Sequence, residues 1–329
     1  MDETRYRLRE FLDRDYASLA RTSHRLNPER YPSVSELRHW DEVRRRPPMV
    51  YRSFTVEAVG AGTGVAYGEL FTELDTVDPN YLRLGVTVDP DHQRQGIGRY
   101  LARVLESEAR ALGATRLWAQ ARADRPRDLS FGLQQGFEER RRTWESTLEL
   151  PAPGYAAVPR RAEGLAKEGI EFATLAEEGP GRPEVRTEVH RLFNAALADE
   201  PRMGPYTPST LDQFVSFNLE TPGFLPDAFF LARKGDRYVG VSNLELLAAE
   251  PGVLYQVFTG TLREFRGRGI ATELKRRTVE YAQQHGFRAI RTGNDSLNAP
   301  MWAINEKIGY RRKVERVQFE KVVSRPPPL

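Results

Sequence analysis

Two short glycine runs hold the residues best suited to grip an anion. Gln93-Arg94-Gln95-Gly96-Ile97-Gly98 recurs as Arg266-Gly267-Arg268-Gly269-Ile270-Ala271, at an offset of 173. Each run stands between a β-rich stretch, Leu82 to Val88 or Leu254 to Thr261, and an amphipathic helical pattern. At a helix start, unpaired backbone N–H groups and the positive end of the dipole converge. Glycine there lets the backbone approach an anion closely. The arrangement suits a phosphate or pyrophosphate, and Arg94, Arg266 and Arg268 would add charge-assisted bonds of roughly 1.5–3 kcal/mol each. Neither run ends in the Gly-Lys-Ser/Thr of a nucleotide triphosphate loop. Leu101 and Thr272 occupy the place of a third glycine, which excludes a dinucleotide fingerprint.

The elements that position these loops also repeat. At the same offset Leu101 meets Leu274, Gly113 meets Gly286, Leu117 meets Ile290, and Gly136-Phe137 meets Gly309-Tyr310. Upstream, Gly64 to Leu70 is similar to Gly240 to Leu246. One register held over more than forty residues argues for two duplicated globular domains, each about half of the 329 residues. We expect a first domain over 1–150, a linker over 151–169, a second domain over 170–323 and a fraying tail over 324–329. Within a copy the pattern predicts a first strand, a helical region and a hairpin. The strand into the glycine loop, two helices and further strands follow, with the last strands running to Leu148 and Val322. The fold class is α/β (α+β).

The runs Gln93-x-x-Gly96-x-Gly98 and Arg266-x-x-Gly269-x-Ala271 resemble the Gln/Arg-x-x-Gly-x-Gly/Ala loop of the GNAT N-acetyltransferase superfamily. The second copy adds Asn298, Met301, Asn305 and Gly309-Tyr310, which resembles the superfamily's distal helix. The tandem layout is similar to the mycothiol synthase family and related two-domain members. The resemblance implies two GNAT-like domains, each a mixed, largely antiparallel central sheet flanked by helices, with acetyl-CoA as cofactor. It implies that Gln93, Arg94, Gln95, Gly96, Ile97 and Gly98, and likewise Arg266, Gly267, Arg268, Gly269, Ile270 and Ala271, hold the pyrophosphate of coenzyme A. The pantetheine arm would run beside Val86 and Val88, or Thr259 and Thr261, as an added strand does. Asn298 and Asn305 would contact the cofactor. The implied activity is transfer of an acetyl group to a primary amine of a small molecule or peptide, by direct attack on the thioester.

Such a transfer needs a deprotonated amine, a stabilised oxyanion and a protonated thiolate. The strands before the loops, Tyr81 to Val88 and Val253 to Thr261, contain no acid. The nearest recurring carboxylates are Glu69 and Glu245; Glu245 is the catalytic candidate, set against the plainer reading of a solvated strand-edge glutamate. The superfamily's tyrosine acid is replaced by Asn305 in the second copy and Gly132 in the first, and asparagine donates no proton at neutral pH. Tyr255 and Tyr310 lie near in sequence. The first copy has Arg125, Asp128 and Gly132 where the second has Asn298, Met301 and Asn305. We therefore expect the first copy to be degenerate and the second to catalyse. The competing readings are a non-catalytic acyl-CoA-binding or sensing protein and a mycothiol synthase-like acetyltransferase.

Composition narrows the rest. The net charge is +3, from 49 basic and 46 acidic residues, and the charges are interleaved rather than gathered on one face. Arg44 to Arg46 and Arg140 to Arg142 read as a solvated loop and an exposed strand start, so no nucleic-acid partner is expected. There are no cysteines, which excludes disulfides and thiolate catalysis, and the five histidines show no metal-ligand spacing. The charged MDETRYRLREF start and the lack of an apolar run near ~20 residues predict a cytoplasmic chain without a membrane span. Tyr206, Phe214, Phe217 and Phe224 are candidates to line an acceptor pocket.

Overall fold

The alternation of apolar and polar residues becomes strands, and the three-to-four-residue apolar repeat becomes helices, in nearly the order the pattern predicts. A computed structural model describes residues 1–28, 31–152, 155 and 158–323; the expected tail 324–329 and part of the expected linker lie outside the described residues. Along the chain run β1 (Tyr6–Glu10), α1 (Tyr16–Leu26), α2 (Val34–Arg44), β2 (Tyr51–Ala58), β3 (Gly64–Phe71), β4 (Tyr81–Val88), α3 (Ile97–Ala111) and β5 (Arg116–Arg122). Next come α4 (Pro126–Gln134), β6 (Glu138–Glu149), α5 (Ala162–Lys167), β7 (Ile170–Thr174), α6 (Leu175–Glu178), α7 (Pro183–Leu197) and α8 (Leu211–Asn218). The chain continues with β8 (Phe224–Lys234), β9 (Arg237–Leu246), β10 (Val253–Thr261), α9 (Ile270–Gln284), β11 (Ala289–Asp295), α10 (Ala299–Ile308) and β12 (Arg311–Val322).

Two units form. The first holds Met1–Arg141, Met203–Thr207 and the chain from Arg316; the second holds Arg142–Arg202 and Pro208–Glu315. In unit 1 the strands lie in the order β1-β2-β3-β4-β5-β12, antiparallel except for β4 beside β5. In unit 2 the order is β7-β8-β9-β10-β11-β6, antiparallel except for β10 beside β11.

The last strands correct the expected contiguous halves. β6, expected to close the first copy, pairs with β11 from Glu149↔Ala289 to Thr143↔Asp295. β12, expected to close the second, pairs with β5 from Arg316↔Arg122 to Val322↔Arg116. The two strands occupy equivalent registers: Phe319 faces Ala119 in unit 1 as Ser146 faces Thr292 in unit 2. Similar alternation lets either strand fit either edge, so the local pattern does not decide the partner. The expected linker is also not featureless, since residues 162–167 form α5.

Each unit buries its own core. In α3, Ile97, Leu101, Ala102, Leu105 and Ala109 face the sheet, whereas Val104 is only half-buried. That stripe packs with Leu70, Leu82, Leu117, Phe137 and Phe319. In unit 2, Val185, Val189, Leu192, Phe193 and Ala196 of α7 are buried at the predicted helical spacing. On the other face of that sheet α9 lays Ile270 and Leu274 against β9, where the missing side chain of Gly240 makes room for them. No described helix is long and apolar enough to cross a membrane.

Candidate acyl-donor slot

The parallel strand pairs fix the geometry of each slot. In unit 1, β4 and β5 pair only over Tyr81↔Arg116, Leu82↔Leu117 and Arg83↔Trp118, so the rest of β4 is unpaired on that side. In an antiparallel ladder alternate residues bond to one neighbour and turn away from it. The Asp89 N–H donates to the Val65 carbonyl at 2.9 Å, which makes 89, 87 and 85 the residues bonded toward β3. Val86 and Val88 therefore aim their peptide groups at the open side. In unit 2 the parallel pairing stops at Gln256↔Thr292, and the Leu262 N–H donates to the Val239 carbonyl at 3.0 Å. Thr259 and Thr261 thus present a free strand edge in the same way. A β-bulge at Val257 bends β10 there.

Gln256 holds that bulge. Its buried amide nitrogen donates to Ser242 Oγ and the Asn243 carbonyl, both at 3.0 Å, and to the Phe258 carbonyl at 3.3 Å. Its Oε1 accepts from Thr278 of α9 at 3.1 Å, and Ser242 Oγ lies 2.7 Å from Thr259 Oγ1.

The loops close alike at the next step. Gln93 Nε2 donates to the Val88 carbonyl at 3.2 Å, and Arg266 Nε donates to the Thr261 carbonyl at 3.1 Å. Gly96 and Gly269 cap their helices in the left-handed region, at φ 80° and 88°. The first hydrogen bond back to each cap carbonyl comes from Tyr100 and Glu273, leaving the preceding helical N–H groups outside the helical ladder. Ile97 and Ile270 are core anchors for those helix starts. Gly98 and Ala271 are equivalent because a Cβ on Gly98 would make only ordinary contacts, at 3.6–3.7 Å.

The arginines of the second loop are already engaged. Arg266 Nη2 stands 2.8 Å from Asp199, and Arg268 Nη1 stands 3.1 Å from Glu168. The cation that lies across Gly269 is instead Arg161, whose side chain covers the place a Cβ would take. Its backbone N–H donates to Glu273 Oε2 at 3.0 Å, docking the segment on α9. Sequence reasoning missed Arg161, because it falls in the stretch read as linker. In the first loop the Tyr6 hydroxyl donates to Gln95 Oε1 at 2.7 Å.

The distal helices differ more than the loops. In unit 2 Asn305 is fully buried on α10, and among the described residues both of its side-chain amide atoms lack a partner. Thr261 Oγ1 is buried and unpartnered as well. Asn298 is occupied as a helix cap, its Oδ1 accepting from the Met301 N–H at 3.3 Å. In unit 1 the Asn305 position is Gly132, where an added Cβ would meet the ring of Phe319 at 3.6 Å. Phe131 of α4 reaches across to Gly98, standing 3.6 Å from the position of an added Cβ, with Val88 at 3.7 Å. Aromatic rings thus fill unit 1 where unit 2 keeps a buried amide.

Glu245 lies on β9, half-buried, opposite Tyr255 in register and just outside the slot. Asn243, two residues nearer the slot on the same face, is buried and leaves its Oδ1 unpartnered. In unit 1 Glu69 folds over Gly85 and stands 3.7 Å from Arg44. Tyr310 is fully buried, and burial holds its hydroxyl far above the ordinary tyrosine range. Among the described residues no group of His, Asp and Glu is arranged to hold a metal ion.

The acetyltransferase (GNAT) family model matches this sequence over residues 7–137 and again over 189–310. The chain belongs to the GNAT acetyltransferase family. Each matched stretch holds one slot. A mycothiol acetyltransferase of Salinispora arenicola is 25% identical over 269 residues, covering 80% of both chains. One of Corynebacterium efficiens is 26% identical, covering 75% of this chain and 79% of its own. The fold is that of a tandem GNAT protein from the clavulanic acid biosynthesis pathway, with TM-score 0.75 at 18% identity over 96% of this chain and 98% of the other. A GCN5-related N-acetyltransferase from Sphaerobacter thermophilus has TM-score 0.70 at 21% identity, covering 98% and 96%.

This GNAT protein is an acetyltransferase and uses acetyl-CoA. The residues of unit 2 fit that donor. A free strand edge at Thr259 and Thr261 suits an amide-bearing arm, the Gly269 helix start with Arg161 above it suits a pyrophosphate, and the orphaned Asn305 amide needs a polar partner.

Proposed function

We propose that unit 2 is the catalytic unit, and that it transfers the acetyl group to a primary amine of a small molecule or peptide by direct attack on the thioester. The observation that carries this reading is the buried Asn305 amide, unpartnered among the described residues of unit 2 and replaced by Gly132 and packed rings in unit 1. In this reading Thr259 and Thr261 hold the pantetheine arm through their backbone groups. The N–H groups of Ile270 and Ala271, with Arg161, hold the pyrophosphate, and Arg266 and Arg268 join them by exchanging Asp199 and Glu168 for the phosphates. Acetyl-CoA supplies an activated acyl group whose thiolate leaves readily. The chain's own work is to orient that group, exclude water and move protons.

Glu245 is the carboxylate assigned to take the amine proton, through a water, and Asn243 Oδ1 is assigned to accept a hydrogen bond from the incoming amine. The relatives named as mycothiol acetyltransferases favour a small-molecule amine over a peptide. A cytoplasmic location follows from this reading, since acetyl-CoA is a cytoplasmic metabolite. Unit 1 serves as a structural copy. Acetyl transfer to a panel of small primary amines tests the proposal: turnover lost in Glu245→Gln with donor binding retained supports it, and turnover that survives Gly269→Trp contradicts it.

A further inference from the structure

The cations of the second glycine loop are held by a carboxylate from outside it. Asp199 follows the last turn of α7, and that turn lies close on β10: a Cβ added to Gly260 would meet the Ala196 Cβ at 2.8 Å. From there Asp199 reaches two arginines. Arg263 donates to both of its carboxylate oxygens, Nε to Oδ2 at 3.2 Å, and Arg266 Nη2 stands 2.8 Å from Oδ2. Arg266 is fixed at the same time by its own Nε, which donates to the Thr261 carbonyl at 3.1 Å. Its guanidinium thus joins β10, the loop and the end of α7 at one point.

Unit 1 makes a comparable tie with the charges reversed. Arg25, in the last turn of α1, stands 2.6 Å from Asp89 and 3.0 Å from Asp91, which precede the first glycine run. At the offset of 173, Asp89 and Asp91 correspond to Leu262 and Glu264, while Arg263 and Arg266 correspond to Pro90 and Gln93. Gln93 keeps the backbone contact, donating to the Val88 carbonyl at 3.2 Å, but brings no charge. A helix-to-loop tie is present in both units, and either polarity serves it. Only in unit 2 are the cations of the tie on the loop side, so only there does an anionic ligand compete with the carboxylate.

The pairs are weak enough to exchange. The Arg263 and Arg266 side chains are 77% and 44% exposed, and that of Asp199 is 23% exposed. An ion pair in that setting contributes less than a charge-assisted bond to a phosphate. Nor does the exchange strand a charge, because Asp199 keeps Arg263 when Arg266 leaves it. We propose that Asp199 is an internal competitor for the phosphates of coenzyme A: it holds Arg266 until the pyrophosphate takes that arginine, and so sets the affinity of unit 2 for its donor. The inference rests on the reading above in which Arg266 turns to the pyrophosphate. Donor binding then unties the end of α7 from the loop.

The test titrates free coenzyme A, in buffer without phosphate, into full-length wild type, Asp199→Asn, Arg266→Gln and the double variant. Asp199→Asn binds coenzyme A about fivefold more tightly than wild type, the reach of an exposed ion pair. Its melting temperature without ligand falls, because the tie is lost. Affinity and stability thus move in opposite directions, which a merely structural aspartate would not produce. In the Arg266→Gln background the same substitution changes affinity by less than about twofold, since the contested arginine is gone. Weaker or unchanged binding by Asp199→Asn overturns the proposal, and so does an equal gain in both backgrounds, which reports overall charge alone. Arg266→Gln that binds coenzyme A as wild type does sinks the reading of Arg266 as a phosphate group, and wild type that binds no coenzyme A sinks the donor site itself; the competitor role falls with either.

Discussion

Arg94 and Gly267 hold the same place in the two glycine loops and the same left-handed backbone, at φ 63° and 78°. The conformation belongs to the loop, and only the second copy supplies the residue that takes it without strain. A side chain there costs roughly 1–2 kcal/mol, partly offset by the lower entropy of the unfolded chain. Arg94→Gly should therefore stabilise unit 1 by about 0.5–1 kcal/mol, read as a rise in its melting temperature. A drop in stability would mean that the arginine side chain makes up for its backbone.

Gln256 ties the bulge of β10 to β9 and to α9. Gln256→Leu keeps the volume but leaves two carbonyls and two hydroxyls short of a partner. The expected loss is about 2–3 kcal/mol in denaturant titrations, with acetyl transfer falling further than stability alone accounts for. A neutral substitution would show that the bulge is held by β9 pairing alone.

Arg161 is exposed and lies over Gly269. Removing a charge-assisted bond to a phosphate costs about 1.5–3 kcal/mol. Arg161→Ala should weaken coenzyme A binding by about tenfold to a hundredfold, leave the melting temperature nearly unchanged, and make binding less sensitive to salt. Unchanged affinity for coenzyme A would remove Arg161 from the site.

The loops were legible because a strand, a glycine turn and an amphipathic helix are local features, and their repetition at one offset fixed two domains. The exchange of β6 and β12 was not, because Ser146 and Phe319 sit in equivalent registers and strand partners are chosen by tertiary packing. Asn298 had a readable signal, since Asn-Ala-Pro is a helix start as much as a ligand. Arg161 had none, because nothing local marks a residue that folds back onto a distant loop.

The central claim is that one acetyl-CoA site exists and that it belongs to unit 2. Calorimetric titration of acetyl-CoA into the full-length chain tests it most directly, with Gly96→Trp and Gly269→Trp measured beside wild type. The account predicts one equivalent bound by wild type and by Gly96→Trp, and none by Gly269→Trp. Two equivalents in wild type, or binding that survives Gly269→Trp and vanishes in Gly96→Trp, would contradict it.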